Sequence, residues 1–294
     1  MPVDSGMLAG IGDEAAVGLS GQIAAIRRLG WSGIELRAVD GVAVADLGAE
    51  DVERVRRSVD EAGIGVVSLA SRIGNWARPI TSPFADDMRE LDVLAAHGDV
   101  LGTRGVRVMS YPNDGLEEHA WRDRVLDRIS RLAARARELG LVLLHENCAG
   151  WAGSDGSRMV RLAEVGGPAL RLLFDTGNGV EHGYDARDLL DRVLPHVAHV
   201  HVKDAVGSAG AASYVPPGAG RCRVAECLRA LFAAGYSGPL SLEPHLSARP
   251  HENVRAAESG AVESGADLFV SAGRSLERVL AGVLTEDAAS LGRA

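Results

Sequence analysis

Short apolar runs alternate along the chain with longer stretches in which apolar residues return every three or four positions. The short runs predict strands over Met7–Gly12, Gly33–Arg37, Gly65–Ala70, Gly105–Tyr111, Leu141–Asn147, Leu170–Asp175, Ala198–Asp204 and Pro239–Pro244. The longer ones predict helices over Ser20–Leu29, Asp51–Ala62, Pro83–Leu101, Ala120–Leu139, Ser157–Val165, Ala186–Leu194, Val224–Ala234 and Asp267–Leu284. Ile23, Ile26 and Leu29 form the stripe of the first helix, with Ser20 as its expected N-cap. Gly30, Gly63, Gly140 and Gly235 stand where helices end, as left-handed caps do. Strand alternation also assigns faces. Ile34 and Leu36 face one way, Glu35 and Arg37 the other; His199, His201 and Lys203 share a side opposite Val200 and Val202.

A strand followed by a helix, repeated eight times, predicts a single-domain (β/α)8 barrel over residues 1–284, with residues 285–294 as a tail. The rival arrangement is an open doubly wound sheet. It would carry a Gly-rich phosphate loop after the first strand, but Gly10-Ile11-Gly12 runs into Asp13-Glu14, which repel phosphate.

Composition narrows the partners. The formal charge of −9 argues against broad nucleic-acid binding, which needs basic surface. The first residues, MPVDSGMLAGIGDE, lack the basic and apolar pattern of a leader, and no apolar run is long enough for a membrane span. Cys148, Cys222 and Cys227 have neither disulfide-framework nor zinc-finger spacing. A cytoplasmic protein with free thiols is expected.

Barrel chemistry sits at the C-terminal ends of the strands. Four consecutive strands end in metal-type ligands: Glu146, Asp175, His201 and Glu243. Neighbouring strands lie about 5 Å apart, so four such ends can meet at one ion. Side-by-side carboxylates repel unless a cation neutralises them. Three carboxylates and an imidazole suit one divalent ion, with Mn²⁺ the first expectation and Mg²⁺, Co²⁺ or Zn²⁺ as alternatives.

Four segments, HEN (145–147), FDTGN (174–178), HVHVKD (199–204) and SLEPH (241–245), give the chain a resemblance to the xylose isomerase-like barrel superfamily, the sugar phosphate isomerase/epimerase group. The resemblance implies that Glu146, Asp175, His201 and Glu243 hold the metal, with His201 preferred over His199 by the His-x-Lys-Asp order. It implies that Asn178 lies near the substrate, that Lys203 is the family's lysine, and that Glu146 and Glu243 act as base and acid. One departure is Pro217-Gly218-Ala219-Gly220, where the family often has a glutamate in place of Ala219. The second and third strands end in Arg37 and Arg72 rather than the extra ligands of the related three-metal apurinic endonucleases, so DNA repair is not expected.

Arg37, Arg72, Trp76 and His245 are further candidates for substrate contact, and the loops Arg72–Ser82 and Ser247–Gly260 for lids. The expected activity is isomerisation or epimerisation of a sugar-like polyhydroxy carbonyl compound, by loss of a proton next to a metal-bound carbonyl. With a leaving group β to the carbanion the same first step gives a lyase, of the inosose dehydratase or 3-keto-glycoside β-eliminase type. A catalytically silent sugar-binding barrel is the alternative of another class; retention of all four ligands opposes it. Family members are often dimers or tetramers, so a homo-oligomer is compatible.

Overall fold

The structure, a computed structural model, describes residues 7–246 and 265–291. The barrel strands are β1 (Leu8–Ile11), β2 (Gly33–Leu36), β5 (Gly65–Ala70), β6 (Gly105–Ser110), β7 (Val142–Gly150), β8 (Leu170–Asp175), β9 (Val197–Val202) and β12 (Leu240–Leu242). They close in the order β1-β12-β9-β8-β7-β6-β5-β2, every pair parallel. Each expected strand is therefore present, and the closed barrel rather than the open sheet is the fold. Two antiparallel pairs lie in the connections: β3 (Ala38–Val39) with β4 (Val42–Ala43), and β10 (Asp204–Ser208) with β11 (Ala211–Val215).

The helices are α1 (Leu19–Leu29), α2 (Ala49–Glu61), α3 (Phe84–Leu101), α4 (Glu118–Glu138), α5 (Gly156–Gly166), α6 (Asn178–His182), α7 (Ala186–Val193), α8 (Val224–Ala233) and α9 (Gly265–Leu291). Their apolar stripes are buried: Ala25, Ile26 and Leu29 in α1, and Val125, Ile129 and Leu132 in α4. Gly30, Gly63, Gly140 and Gly235 all have positive φ, as the cap pattern requires. In β1, a Cβ on Gly10 would lie 2.5 Å from Phe269 Cζ, so the missing side chain is what lets α9 close over that strand.

Two local expectations are corrected. Gly18, not Ser20, caps α1, and the side-chain oxygen comes from afar, because Leu19 N donates to Asp40 Oδ1 at 3.0 Å. The last helix continues past Leu284 to Leu291. The Ala- and Gly-rich stretch after Asp204 folds into the β10–β11 hairpin. Asp204 organises it: its carboxylate accepts N–H bonds from Ala205, Gly218, Gly220 and Cys222 at 2.9–3.0 Å. The Pro-Gly-x-Gly turn is thereby held without the glutamate. Among the described residues no helix is long and apolar enough to cross a membrane. The expected lid Ser247–Gly260 lies outside the described residues.

Candidate metal centre

Register brings the strand ends level. Asp175 is directly opposite His201, and His201 opposite Ser241, two residues before Glu243; Glu146 is opposite Leu173 on β8. One ligand atom from each of Glu146, Asp175, His201 and Glu243 lies within 4.8 Å of the others, and all four residues are buried.

Each side chain is fixed from behind. Asp175 Oδ1 accepts the N–H groups of Gly177 and Asn178, both at 2.7 Å, and Asn147 brackets the Asp175 backbone from β7 at 2.6 and 2.9 Å. Glu146 Oε1 accepts from Asn178 Nδ2 at 3.1 Å, and Arg107 Nη1 stands 3.5 Å from Oε2. Glu243 Oε1 accepts from Arg37 Nη1 at 2.9 Å. His201 Nε2 faces Glu35, 3.0 Å from Oε2. Strand β2 is separated from β9 by β1 and β12, so the Glu35–His201 contact crosses the barrel interior. A carboxylate at Nε2 keeps the proton there and leaves a lone pair on Nδ1.

The atoms left over converge. Asp175 Oδ2, His201 Nδ1 and Glu243 Oε2 are buried and turned toward one another, with His201 Nδ1 3.2 Å from Glu243 Oε2. Lys203 Nζ approaches Glu243 Oε2 at 2.6 Å and Asp175 Oδ2 at 3.1 Å, close enough to attract but outside hydrogen-bond geometry. Burial pushes the Asp175 carboxyl up to about 6; Glu146 and Glu243 add to the shift while Lys203 and His201 oppose it. Oxygen lone pairs and one imidazole nitrogen aimed at a common point fit a divalent cation.

A second buried knot adjoins this one. Arg37 holds Asp13 at 3.0 Å, Glu14 at 2.8 Å and Glu243 at 2.9 Å. His245 Nδ1 lies 2.9 Å from Glu14 Oε1, and its ring packs edge-on against Tyr214. The further carboxylate–histidine grouping of Glu14, Glu243 and His245 is thus spanned by a guanidinium. Lys203 Nζ reaches Asn178 Oδ1 at 3.3 Å and His245 Nε2 at 3.4 Å. A Cβ on Gly177 would fall 2.1 Å from Lys203 Cγ, so that glycine makes room for the lysine.

A cavity of about 240 Å³ opens over the cluster, lined by Arg37, Trp76, Asn178, Lys203 and His245 among others. Those five expected contacts are brought together. Arg72 is not: its guanidinium pairs with Asp46 and Glu90 at 2.7 and 3.1 Å, and it lines a neighbouring cavity instead. Residues that the sequence reading left out are Glu35, Asp13, Glu14, Arg107 and Tyr214. A signal existed for Glu35 and Arg107, since each is an ionisable residue inside a barrel strand.

A family profile for the xylose isomerase-like TIM barrel matches residues 23–264. Inosose dehydratase 1 of Bacillus cereus is 33% identical over 142 residues, 42% of this chain but only 46% of that enzyme's length. The 2-epi-5-epi-valiolone 7-phosphate 2-epimerase of Actinoplanes sp. is 28% identical over 224 residues, covering 70% of this chain and 80% of the relative. The solved structure of an L-ribulose 3-epimerase superposes with a TM-score of 0.74 at 17% identity over 98% of both chains, a likeness of fold. The relatives are sugar-modifying enzymes, dehydratase and epimerase. The chain belongs to the xylose isomerase-like TIM-barrel family.

Proposed function

We propose that this protein is a divalent-metal-dependent isomerase or epimerase of a sugar-like polyhydroxy carbonyl compound. The observation that carries the reading is the convergence of Asp175 Oδ2, His201 Nδ1 and Glu243 Oε2, all buried, beside the Glu146 carboxylate. Glu146, Asp175, His201 and Glu243 would hold the ion, with Mn²⁺ first and Mg²⁺, Co²⁺ or Zn²⁺ as alternatives. The ion would supply Lewis acidity, polarising a carbonyl so that the adjacent C–H becomes acidic.

The chain's own residues do the rest. Glu146 and Glu243 come from strands on opposite sides of the β8–β9 pair and serve as base and acid. Asn178 holds Glu146 by its amide, Arg37 holds Glu243, and both line the cavity in which substrate would be oriented. Lys203 is positioned to donate a hydrogen bond to a substrate oxygen. Trp76 and His245 form part of the cavity wall. Return of the proton to the opposite face gives an epimer; return to the neighbouring carbon gives an isomer.

The similarity to inosose dehydratase supports a second outcome, elimination of a β-hydroxyl or other leaving group after the same proton loss. Protein loaded with Mn²⁺ and incubated in D₂O with ketoses and keto-inositols separates the two. Deuterium next to the carbonyl in an otherwise intact product indicates isomerase or epimerase; loss of water indicates lyase. Exchange with no substrate, or full activity in Glu146→Gln, refutes the assignment.

A further inference from the structure

Beside the cavity over the cluster lies another of about 300 Å³. The two share Arg37, Trp76 and Arg107 as walls, so they adjoin. Their linings differ. The first carries Glu146, Asn178, Lys203, Glu243 and His245. The second is walled largely by Val17, Ala43, Ala70, Ala77 and the Trp76 ring, whose residue is 40% exposed. Ligand cavities commonly measure about 300 to 1,000 Å³, so the compartment over the cluster suits one small ring, and both together a larger molecule.

Charge separates the possible occupants. Three arginines line the second compartment together with Asp13: Arg37 is paired with Asp13, Glu14 and Glu243, Arg72 with Asp46 and Glu90, and Arg107 stands 3.5 Å from Glu146 with its Nε buried and unbonded among the described residues. A phosphate placed there would have to compete with those acids for the guanidinium groups. A flat apolar group would instead lie against alanine, valine and indole surface.

We propose that this second compartment receives an uncharged apolar substituent of the substrate. The site then selects a polyhydroxylated ring bearing a flat apolar group over a sugar phosphate. This deepens the functional reading above and rests on the same cavity. Its test needs binding rather than turnover, so the two fail separately.

Protein loaded with Mn²⁺ is titrated calorimetrically with matched methyl and phenyl glycosides of glucose, galactose and xylose, and with glucose 6-phosphate beside glucose. In at least one pair the phenyl glycoside binds about 10-fold or more tightly, as burial of a phenyl ring implies. Glucose 6-phosphate binds no better than glucose. Ala43→Phe, which fills the compartment, and Val17→Asp, a change at a surface rim position, each cut the phenyl advantage to below about threefold. Equal binding within every pair, preference for the phosphate, or an undiminished advantage in both variants overturns the proposal. Deuterium exchange into a small ketose together with equal binding in every pair would sink this inference and leave the proposed chemistry standing.

Discussion

Glu35→Gln tests whether a carboxylate across the barrel sets up His201. The substitution keeps the shape and removes the charge. Glu35 Oε2 lies 3.1 Å from His199 Nε2 and 3.0 Å from His201 Nε2, and Oε1 lies 3.2 Å from His201 Nε2. Burial opposes ionisation of Glu35, but the two imidazoles hold its carboxyl well below the usual range. A carboxylate accepts from both rings. An amide offers one accepting oxygen, and its NH₂ confronts the other ring. If His201 loses the acceptor, the proton moves to Nδ1 and the lone pair aimed at the cluster is gone. A hydrogen bond to a charged group contributes about 1.5–3 kcal/mol, or about 10- to 100-fold in metal affinity. Mn²⁺ affinity is measured by calorimetry and by competition with a chelator near neutral pH. Ser241→Ala is the control: Ser241 Oγ meets His199 Nε2 at 2.8 Å and should alter affinity by less than about threefold. Wild-type Mn²⁺ affinity in Glu35→Gln would refute the reasoning.

Mn²⁺ at about a hundredfold excess over its Kd should stabilise the protein by about 2.7 kcal/mol and raise Tm by about 4 °C. Chelator should reverse the rise and Asp175→Asn should abolish it; an unchanged melting curve counts against the site. Asp204→Asn should destabilise by about 2–4 kcal/mol in urea unfolding, because an amide turns its own N–H groups toward donors that a carboxylate accepts; a loss below about 0.5 kcal/mol would deny Asp204 its anchoring part. Burial holds His97 below its ordinary 6.5, only partly offset by its bond to the Val44 carbonyl. The folded state then binds fewer protons, so stability falls as pH drops through about 6.5, by at most about 1.4 kcal/mol per unit. His97→Leu should flatten that slope in urea titrations at successive pH values, and an unaltered slope would assign it to other groups.

Periodicity made the barrel legible because each strand and helix carries its own pattern: GVVSLA and LRLLFD read as strands without knowing their neighbours. Glu146, Asp175 and Glu243 were legible for the same reason, since each is the last ionisable residue of a local apolar run, whereas His201 is told from His199 only by the His-x-Lys-Asp order of the family. What escaped depends on distance in sequence. Asp40 caps α1 from 21 residues away, and nothing near Leu19 announces it. Arg72 stands at a strand end like Arg37, but Asp46 and Glu90 turn it aside, and no local pattern tells the two arginines apart. The β10–β11 hairpin carries no strand signal because its Ala-, Gly- and Ser-rich strands have little β propensity; Asp204 fastens its base through backbone N–H groups, which leave no mark in side-chain periodicity.

The larger difference concerns how much of the barrel takes part. The sequence reading gave the chemistry to β7, β8, β9 and β12 and left the remaining strands as scaffold with a few arginines. In the folded protein the charged groups run on around the mouth: Asp13 and Glu14 after β1, Glu35 and Arg37 at β2, Arg107 on β6. Each touches a member of the four-residue cluster or a group that does. Buried charges of one sign are tolerable only beside charges of the other. Placing three carboxylates at neighbouring strand ends therefore demands cations from the strands that flank them, and those cations demand acids in turn. Arg37 illustrates the chain of consequences, bonded at once to Asp13, Glu14 and Glu243. Changes within such a set do not add, because removing one member strands the charge of the next. The unit that holds the site in shape is accordingly most of the ring of strand ends rather than the four that meet at its centre.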